Sequence, residues 1–251
     1  MLTPPHSPVA RVSDASGFTL IETLVAMISS TVVVGALFAI FIVALHQTAR
    51  TSGRVEATEL GNTTMTRLVD ELHSACIARE FTPIREKSNA NELIFVSGVG
   101  TEAVLTKAYL HKIVYSATEG TLVEKTWPNI SASSWPNFEF SESGTPTTVR
   151  IGEHITREES GGKEVAVFQY YGYATSSNST GAVSTLTTTP LTEGSGGLEK
   201  NAEKAAAVSI NFIAGATQYK QYKPTIELSN QITLAFTAPS AETPILQKPC
   251  E

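Results

Sequence analysis

Hydrophobic residues are distributed very unevenly along the chain, and the densest run lies near the N-terminus. Residues 18–45 are apolar apart from Ser, Thr and one carboxylate, Glu22. As an α-helix this run would be about 42 Å long, which is enough to cross a hydrocarbon layer of about 30 Å. The pattern therefore predicts a transmembrane helix. The prolines among residues 1–17 predict that the helix begins no earlier than this run.

After residue 45 the helical spacing continues, but only one face stays apolar. From residue 65 onward the apolar positions recur at three- and four-residue intervals, at Met65, Leu68, Leu72 and Ala75. Residues 46–80 are therefore predicted to form an amphipathic continuation that stops before Pro83. Gly53 and Gly61 are the two positions at which this helix would bend most easily.

From residue 81 onward, short runs of β-branched and aromatic residues are separated by Gly-containing turns, as in antiparallel sheets. These runs cover residues 93–97, 103–109, 111–117, 121–126, 165–173, 207–214 and 225–236. Glu119-Gly120 predicts a hairpin turn, and residues 198–206 predict one short helix. Because no long helical pattern alternates with the strands, a parallel sheet is not expected. The predicted fold class is α+β, with the long helix packed on a globular β-rich domain of residues 81–251.

Two features of this domain allow both a functional and a structural interpretation. Residues 174–197 are rich in Ser, Thr and Gly and predict a flexible surface loop, which is either a receptor-binding loop or a solvated insertion. The tripeptide Trp-Pro-Asn occurs at residues 127–129 and again at 135–137. Its tryptophans either bind a glycan or partner subunit, or fix a loop to the core.

Charge and motifs exclude several classes of function. The net charge is −6, from 18 basic and 24 acidic residues, and no basic segment predicts a nucleic-acid partner, although a DNA-uptake filament is compatible with this charge. The five histidines show no metal-ligand spacing, and the sequence contains no G-x-S-x-G, G-x-G-x-x-G or P-loop motif. We therefore expect no enzyme activity, no metal and no cofactor.

The two cysteines, Cys76 and Cys250, fit neither a zinc site nor a redox motif. If the globular part lies outside the cytoplasm, they can form a disulfide that ties the C-terminus to the rest of the chain. The alternative is a pair of free thiols, with Cys76 packed as a small apolar residue.

The start of the apolar run carries the most specific motif. The residues Gly17-Phe18-Thr19-Leu20-Ile21-Glu22 precede the long hydrophobic stretch in register. They resemble the processing site of the type IV pilin and type II secretion pseudopilin family. The resemblance implies that a prepilin peptidase/methylase removes residues 1–17 by cleavage after Gly17 and then methylates the amine of Phe18.

The same resemblance implies a role for Glu22 in filament assembly. A buried carboxylate is tolerated when it is paired, and the new Phe18 amine of a neighbouring subunit is the natural partner cation. The charge of Glu22 would then be unfavourable in a single subunit and compensated only in the assembled filament. It would therefore select correctly registered subunits.

The branch of the family is indicated by less specific segments. The segments starting at Arg67 (RLVDELHSACIAR), Leu93 (LIFVSG) and His111 (HKIVYSATEGTLVEKTW) resemble J-type minor pseudopilins and PilW-like minor pilins. The resemblance implies a pilin-like fold and a structural subunit at or near the tip of a pilus-like or secretion filament. It implies three kinds of partner besides the peptidase, namely other pilins, the inner-membrane assembly platform and the lipid bilayer.

The expected location is the inner membrane, with residues 1–17 cytoplasmic and the β-rich domain periplasmic or extracellular. The leader departs from the basic family pattern, since its one cation, Arg11, is balanced by Asp14. Arg50 and Arg54 lie beyond the span, against the positive-inside tendency. Because the resemblance implies that the leader is cytoplasmic when it is processed, we expect the N-terminus to lie inside.

Two other classes of function remain as alternatives. A single-pass anchored binding protein that never polymerises would keep its N-terminus uncut and tolerate Glu22→Ala. An anchored exoenzyme would need a catalytic cluster, and the motifs provide none.

Overall fold

A computed structural model describes six stretches of the chain: residues 17–75, 84–101, 104–130, 139–174, 185–217 and 224–234. Within these stretches a single long helix is followed by antiparallel strands. The predicted α+β class is confirmed at this level.

The helix α1 runs from Leu20 to His73, for 54 residues. It continues unbroken through Gly53 and Gly61, so that neither glycine interrupts it. Gly61 instead allows close packing, because a Cβ at this position would lie 2.3 Å from Leu228 Cδ1 and 3.0 Å from Ala214 Cβ. α1 ends earlier than residue 80, and residues 76–80 lie outside the described part of the chain.

The first sheet has four antiparallel strands in the order in which they occur along the chain. They are β1 (Glu92–Thr101), β2 (Val104–Ser116), β3 (Thr121–Pro128) and β4 (Thr147–Gly152). The hairpin predicted at Glu119-Gly120 is confirmed, since Ser116 pairs with Thr121 and Gly120 has a φ of 62°. The two runs predicted on either side of residue 110 form one continuous strand, because no turn-forming residue separates them.

The second sheet is built around β11 (Ala207–Gly215), which pairs with β12 (Thr225–Thr233) along one edge. On its other edge β11 pairs with β5 (Ile155–Thr156) and β8 (Phe168–Tyr171). Two further pairs of two-residue strands complete the described strands. These are β6 (Glu159–Ser160) with β7 (Lys163–Glu164), and β9 (Tyr173–Ala174) with β10 (Thr185–Leu186).

Two predictions for this region have different outcomes. The short helix predicted at residues 198–206 is present as a 3-10 helix, Glu199–Lys204, which buries Ala202. Within the predicted loop 174–197, β10 pairs with β9 and Gly194 bridges to Gly197, whereas residues 175–184 lie outside the described residues. The flexibility of this loop stays a prediction.

The main core lies where the second half of α1 meets side chains from both sheets. Leu68 and Leu72 of α1 belong to one buried cluster with Phe95 and Ile113 of the first sheet and Phe212 of the second. Alternation along a strand turns neighbouring residues to the opposite face. Accordingly, a smaller cluster of Ile94, Val96, Ala108, Leu110 and Trp127 lies on the other face of the first sheet, with Phe140 packed against it.

The contacts group the chain into two compact units, Met1–Ala49 and Arg50–Glu251. The second unit contains both sheets and the buried part of α1. The finer division into segments 1–17, 18–45, 46–80 and 81–251 stays a prediction.

Candidate functional site

The first candidate site is the beginning of α1, where the residues Gly17 to Glu22 lie. Gly17 to Thr19 precede the first helical residue, Leu20, so that the peptide bond between Gly17 and Phe18 lies outside the helix. The Phe18 side chain is 80% exposed, and no described atom lies within 4 Å of a Cβ built on Gly17. Within the described residues, therefore, nothing blocks access to the peptide bond between Gly17 and Phe18.

Glu22 occupies the first turn of α1, and it has a local structural role that the sequence reasoning missed. The backbone N–H of Glu22 donates to Thr19 Oγ1 at 3.4 Å and to Thr19 O at 3.1 Å. Thr19 and Glu22 thus form the T-x-x-E pattern of a capping box, in which a Glu or Gln suits the third helical position. The carboxylate is also favourably placed at the positive end of the helix dipole. The signal was present in the sequence as a Thr three residues before the Glu.

The residues that follow Glu22 present apolar side chains on every side of the helix. Large hydrophobic residues from Leu20 to Leu45 are exposed in the described chain. Within the described residues, α1 is the helix that is long and apolar enough to cross a membrane. An exposed apolar surface of this kind requires a lipid or protein cover.

The second candidate site is a polar cluster between α1 and the first sheet, which we call the helix–sheet cluster: Arg67 and Glu71 on α1, Ser97 on β1, His111 on β2 and Glu124 on β3. His111 Nδ1 lies 2.7 Å from Glu124 Oε1 and 3.8 Å from Glu71 Oε2. His111 Nε2 lies 2.7 Å from Ser97 Oγ. Arg67 Nη2 donates to the second oxygen of Glu124, Oε2, at 3.1 Å.

Strand pairing explains why these side chains meet. Phe95 pairs with His111, and Ile113 pairs with Glu124, so that His111 and Glu124 lie diagonally on the same face of the sheet. Spacing of four residues on α1 places Arg67 and Glu71 on the helix face above them. The His111 ring also stacks on Phe95, with ring centres 5.0 Å apart.

The cluster pushes the pKa values of its two carboxyl groups in opposite directions. The hydrogen bond from His111 is the main cause that lowers the pKa of Glu124 below its usual value, against the opposing effect of burial. Burial, followed by the charge of Glu124, raises the pKa of Glu71. Glu124 is therefore ionised at neutral pH.

No pattern in the amino-acid sequence indicates this cluster. Its residues are separated by up to 57 positions, as in the Arg67–Glu124 pair, and no local motif joins them. The expectation of no metal site was based only on the spacing of residues along the chain. Folding brings Glu71, His111 and Glu124 together from distant positions. Their ligand atoms all lie within 4.8 Å of one another.

The remaining predicted sites have separate outcomes. Cys76 and Cys250 lie outside the described residues, so that the disulfide stays a prediction. Trp127 is buried in the smaller core cluster, and its Nε1 donates to Gly144 O at 2.9 Å, which supports the structural interpretation for this tryptophan. Trp135 lies outside the described residues.

Comparison with family models, with curated protein sequences and with solved structures found no match for this chain.

Proposed function

We propose that the chain is a minor pilin or pseudopilin, a non-enzymatic subunit held in the inner membrane and then assembled into a type IV pilus-like or type II secretion filament. The observation that carries the proposal is the order of features at the N-terminus. The Gly17-Phe18 bond lies just outside α1, Glu22 lies in its first turn, and an exposed apolar helix follows. A β-rich domain after such a helix supports the same proposal.

The exposed apolar half of α1 suits both stages of this function. In the membrane its side chains would be covered by lipid, which supplies the apolar surroundings that water does not. In a filament the same side chains would be covered by the corresponding helices of neighbouring subunits. The β-rich domain would then lie on the outer or tip surface, at the periplasmic or extracellular side.

The single-pass anchored binding protein remains the second candidate, and the capping box favours it. Because Glu22 lies in the first turn after Thr19, at the positive end of the helix dipole, its carboxylate has a favourable place that needs no neighbouring subunit. In this alternative the helix stays in the bilayer as an anchor.

Intact-mass measurement and N-terminal sequencing of the membrane-extracted protein separate these two candidates. The proposal predicts a chain that begins at Phe18 and is heavier by about 14 Da from one added methyl group, a modification that leaves the amine charged. The matched control is the Gly17→Ala variant, which we expect to keep residues 1–17. A full-length chain from cells with an active prepilin peptidase would contradict the proposal and leave the anchored binding protein.

A further inference from the structure

Three described side chains of the helix–sheet cluster offer the ligand set of a metal site. His111 contributes an imidazole nitrogen, and Glu71 and Glu124 each contribute a carboxylate oxygen. Imidazole together with carboxylate suits zinc-type transition ions, whereas calcium and magnesium prefer oxygen ligands alone. The chemistry of the set therefore indicates the class of ion.

We infer that Glu71, His111 and Glu124 bind one divalent transition-metal ion of the zinc type, with a water molecule as the fourth ligand. This inference is independent of the pilin proposal.

The distances already resemble those of a coordination shell. Tetrahedral zinc with ligands at about 2.0 Å places neighbouring ligand atoms about 3.3 Å apart. The His111 nitrogen lies 2.7 Å from Glu124 Oε1 and 3.8 Å from Glu71 Oε2, so that one separation is shorter and the other longer than this value. All three ligand atoms lie within 4.8 Å of one another, and side-chain torsions of Glu71 and Glu124 would bring them to coordination distances.

Hydrogen bonds around the three ligands would orient them. A carboxylate accepts hydrogen bonds only, so that without a metal the His111 Nδ1 carries the proton toward Glu124. A metal would occupy the place of that proton, while Nε2–H would donate to Ser97 Oγ, which is 2.7 Å away. Arg67 would keep its bond to Glu124 Oε2 and leave Oε1 for the metal.

The charge of Arg67 does not oppose the metal strongly. The Arg67 side chain is 39% exposed, so that solvent screens its charge, whereas the Glu124 side chain is only 5% exposed. The two carboxylates match the two charges of the ion.

Access and the fourth ligand come from the helix side of the cluster. Arg67 and Glu71 line an open cleft of about 640 Å³ together with Asn62, Thr63, Thr66 and Asp70. Glu71 lines this cleft and is only partly buried, so that the ion and its water ligand would enter from this side. A bound ion would connect α1 to β2 and β3 and would stabilise the folded state, since metal binding to a folded site is coupled to folding.

The test uses the full-length protein in detergent micelles, freed of metal with a chelator. Zn²⁺ is titrated in competition with a chromophoric chelator, and the thermal midpoint is recorded with and without Zn²⁺. We expect one Zn²⁺ per chain and a higher midpoint in its presence. Both Glu71→Gln and His111→Gln should weaken binding by at least about 10-fold and abolish the rise in midpoint.

Two variants control for binding at other groups. His73→Gln removes an exposed histidine of α1, and Glu92→Gln removes a carboxylate that pairs with Lys112 on the same sheet. Both should bind Zn²⁺ like the unmodified protein. Glu71→Gln leaves the His111–Glu124 pair in place, so that it tests the inference even if His111→Gln does not fold. Absence of stoichiometric binding, or equal affinity in Glu71→Gln and the controls, would overturn the inference.

Discussion

At the scale of single residues, Glu22 combines a local role with a proposed intermolecular one. The local role is its place in the first turn of α1, where its backbone N–H donates to Thr19 Oγ1 and its carboxylate lies at the positive end of the helix dipole. The proposed role needs a negative charge beside the Phe18 amine of another subunit. The two roles differ in the side chain that they require. A capping box accepts Gln as well as Glu, whereas ion pairing requires the carboxylate.

The Glu22→Gln variant therefore separates the two roles. We expect the variant to be made, processed and retained in the membrane at normal levels, since the cap is preserved. Its incorporation into filaments should fall by at least about 10-fold, because an unpaired amine would remain in apolar surroundings. Subunit content of sheared filaments, compared with membrane levels, measures this effect.

The matched control is Glu59→Gln, which changes an exposed carboxylate farther along the same helix. Normal incorporation of both variants would assign Glu22 to the capping role alone.

Tyr170 is a residue whose burial makes stability dependent on high pH. Its hydroxyl donates to Glu92 O at 2.9 Å and to Asn89 O at 3.2 Å, and burial raises its pKa well above the usual value of 10.0. In the unfolded chain the phenol loses its proton near pH 10, whereas in the folded chain it keeps it. The free energy of unfolding should therefore be unaffected below about pH 10 and decrease as the pH rises above this value.

Tyr170→Phe should lower the free energy of unfolding by about 0.5–1.5 kcal/mol at neutral pH, because the hydrogen bond of the buried hydroxyl is lost while both carbonyl groups keep their backbone donors. It should also make the decrease above pH 10 less steep. Some decrease should remain, since burial raises the pKa of Tyr115 as well. Urea unfolding at pH 7 and at several values above 10 measures both effects, and Tyr171→Phe is the control. An unchanged alkaline slope in Tyr170→Phe would contradict the assignment.

At the scale of elements, α1 has two halves with different surroundings. Large apolar residues are exposed as far as Leu45, whereas Gly53, Ala57, Gly61, Met65, Leu68 and Leu72 are buried against the domain. A spacing of three or four residues keeps the buried positions on one stripe. The same helix therefore presents an exposed apolar surface in its first half and contributes a buried stripe to the core in its second half.

Two leucines of α1 test this difference in surroundings. Leu68 is 0% exposed and belongs to the main core, whereas Leu60 is 37% exposed. Leu68→Ala should lower the free energy of unfolding by about 2–5 kcal/mol, because it removes apolar contacts and leaves a cavity. Leu60→Ala should change it by less than about 1 kcal/mol. Chemical denaturation of both variants in the same detergent provides the measurement, and equal losses would contradict the packing of α1 described here.

At the scale of the whole molecule, the core formed by the described residues contains no side chain from the apolar half of α1. The unit Arg50–Glu251 contains both sheets, the buried part of α1 and the helix–sheet cluster. Because hydrophobic burial is the main favourable contribution to folding, a unit that contains the whole core should be stable by itself.

A chain that begins at Arg50 should accordingly be soluble without detergent and unfold in one cooperative transition. Size-exclusion chromatography and calorimetry measure these two properties. Aggregation or a non-cooperative transition would show that the first 49 residues are needed for folding. The informative comparison is the same shortened chain with Leu68→Ala, which should unfold at a lower temperature.

The amino-acid sequence by itself determined the features that depend on local pattern. The apolar run at residues 18–45, the amphipathic stripe from Met65 to Leu72 and the Glu119-Gly120 hairpin are each written within a few consecutive residues. Local backbone preferences and burial periodicity are enough to predict such elements. The proposed processing of the chain also rests on contiguous residues, Gly17 to Glu22.

Only the tertiary structure decided which distant residues meet. The register of β1, β2 and β3 places Ser97, His111 and Glu124 on one face, and packing of α1 on that face adds Arg67 and Glu71. A shift of one residue in register would turn these side chains to the opposite face. Strand register depends on long-range pairing and on a core shared by both sheets. Local sequence patterns therefore could not predict the helix–sheet cluster or the close approach at Gly61.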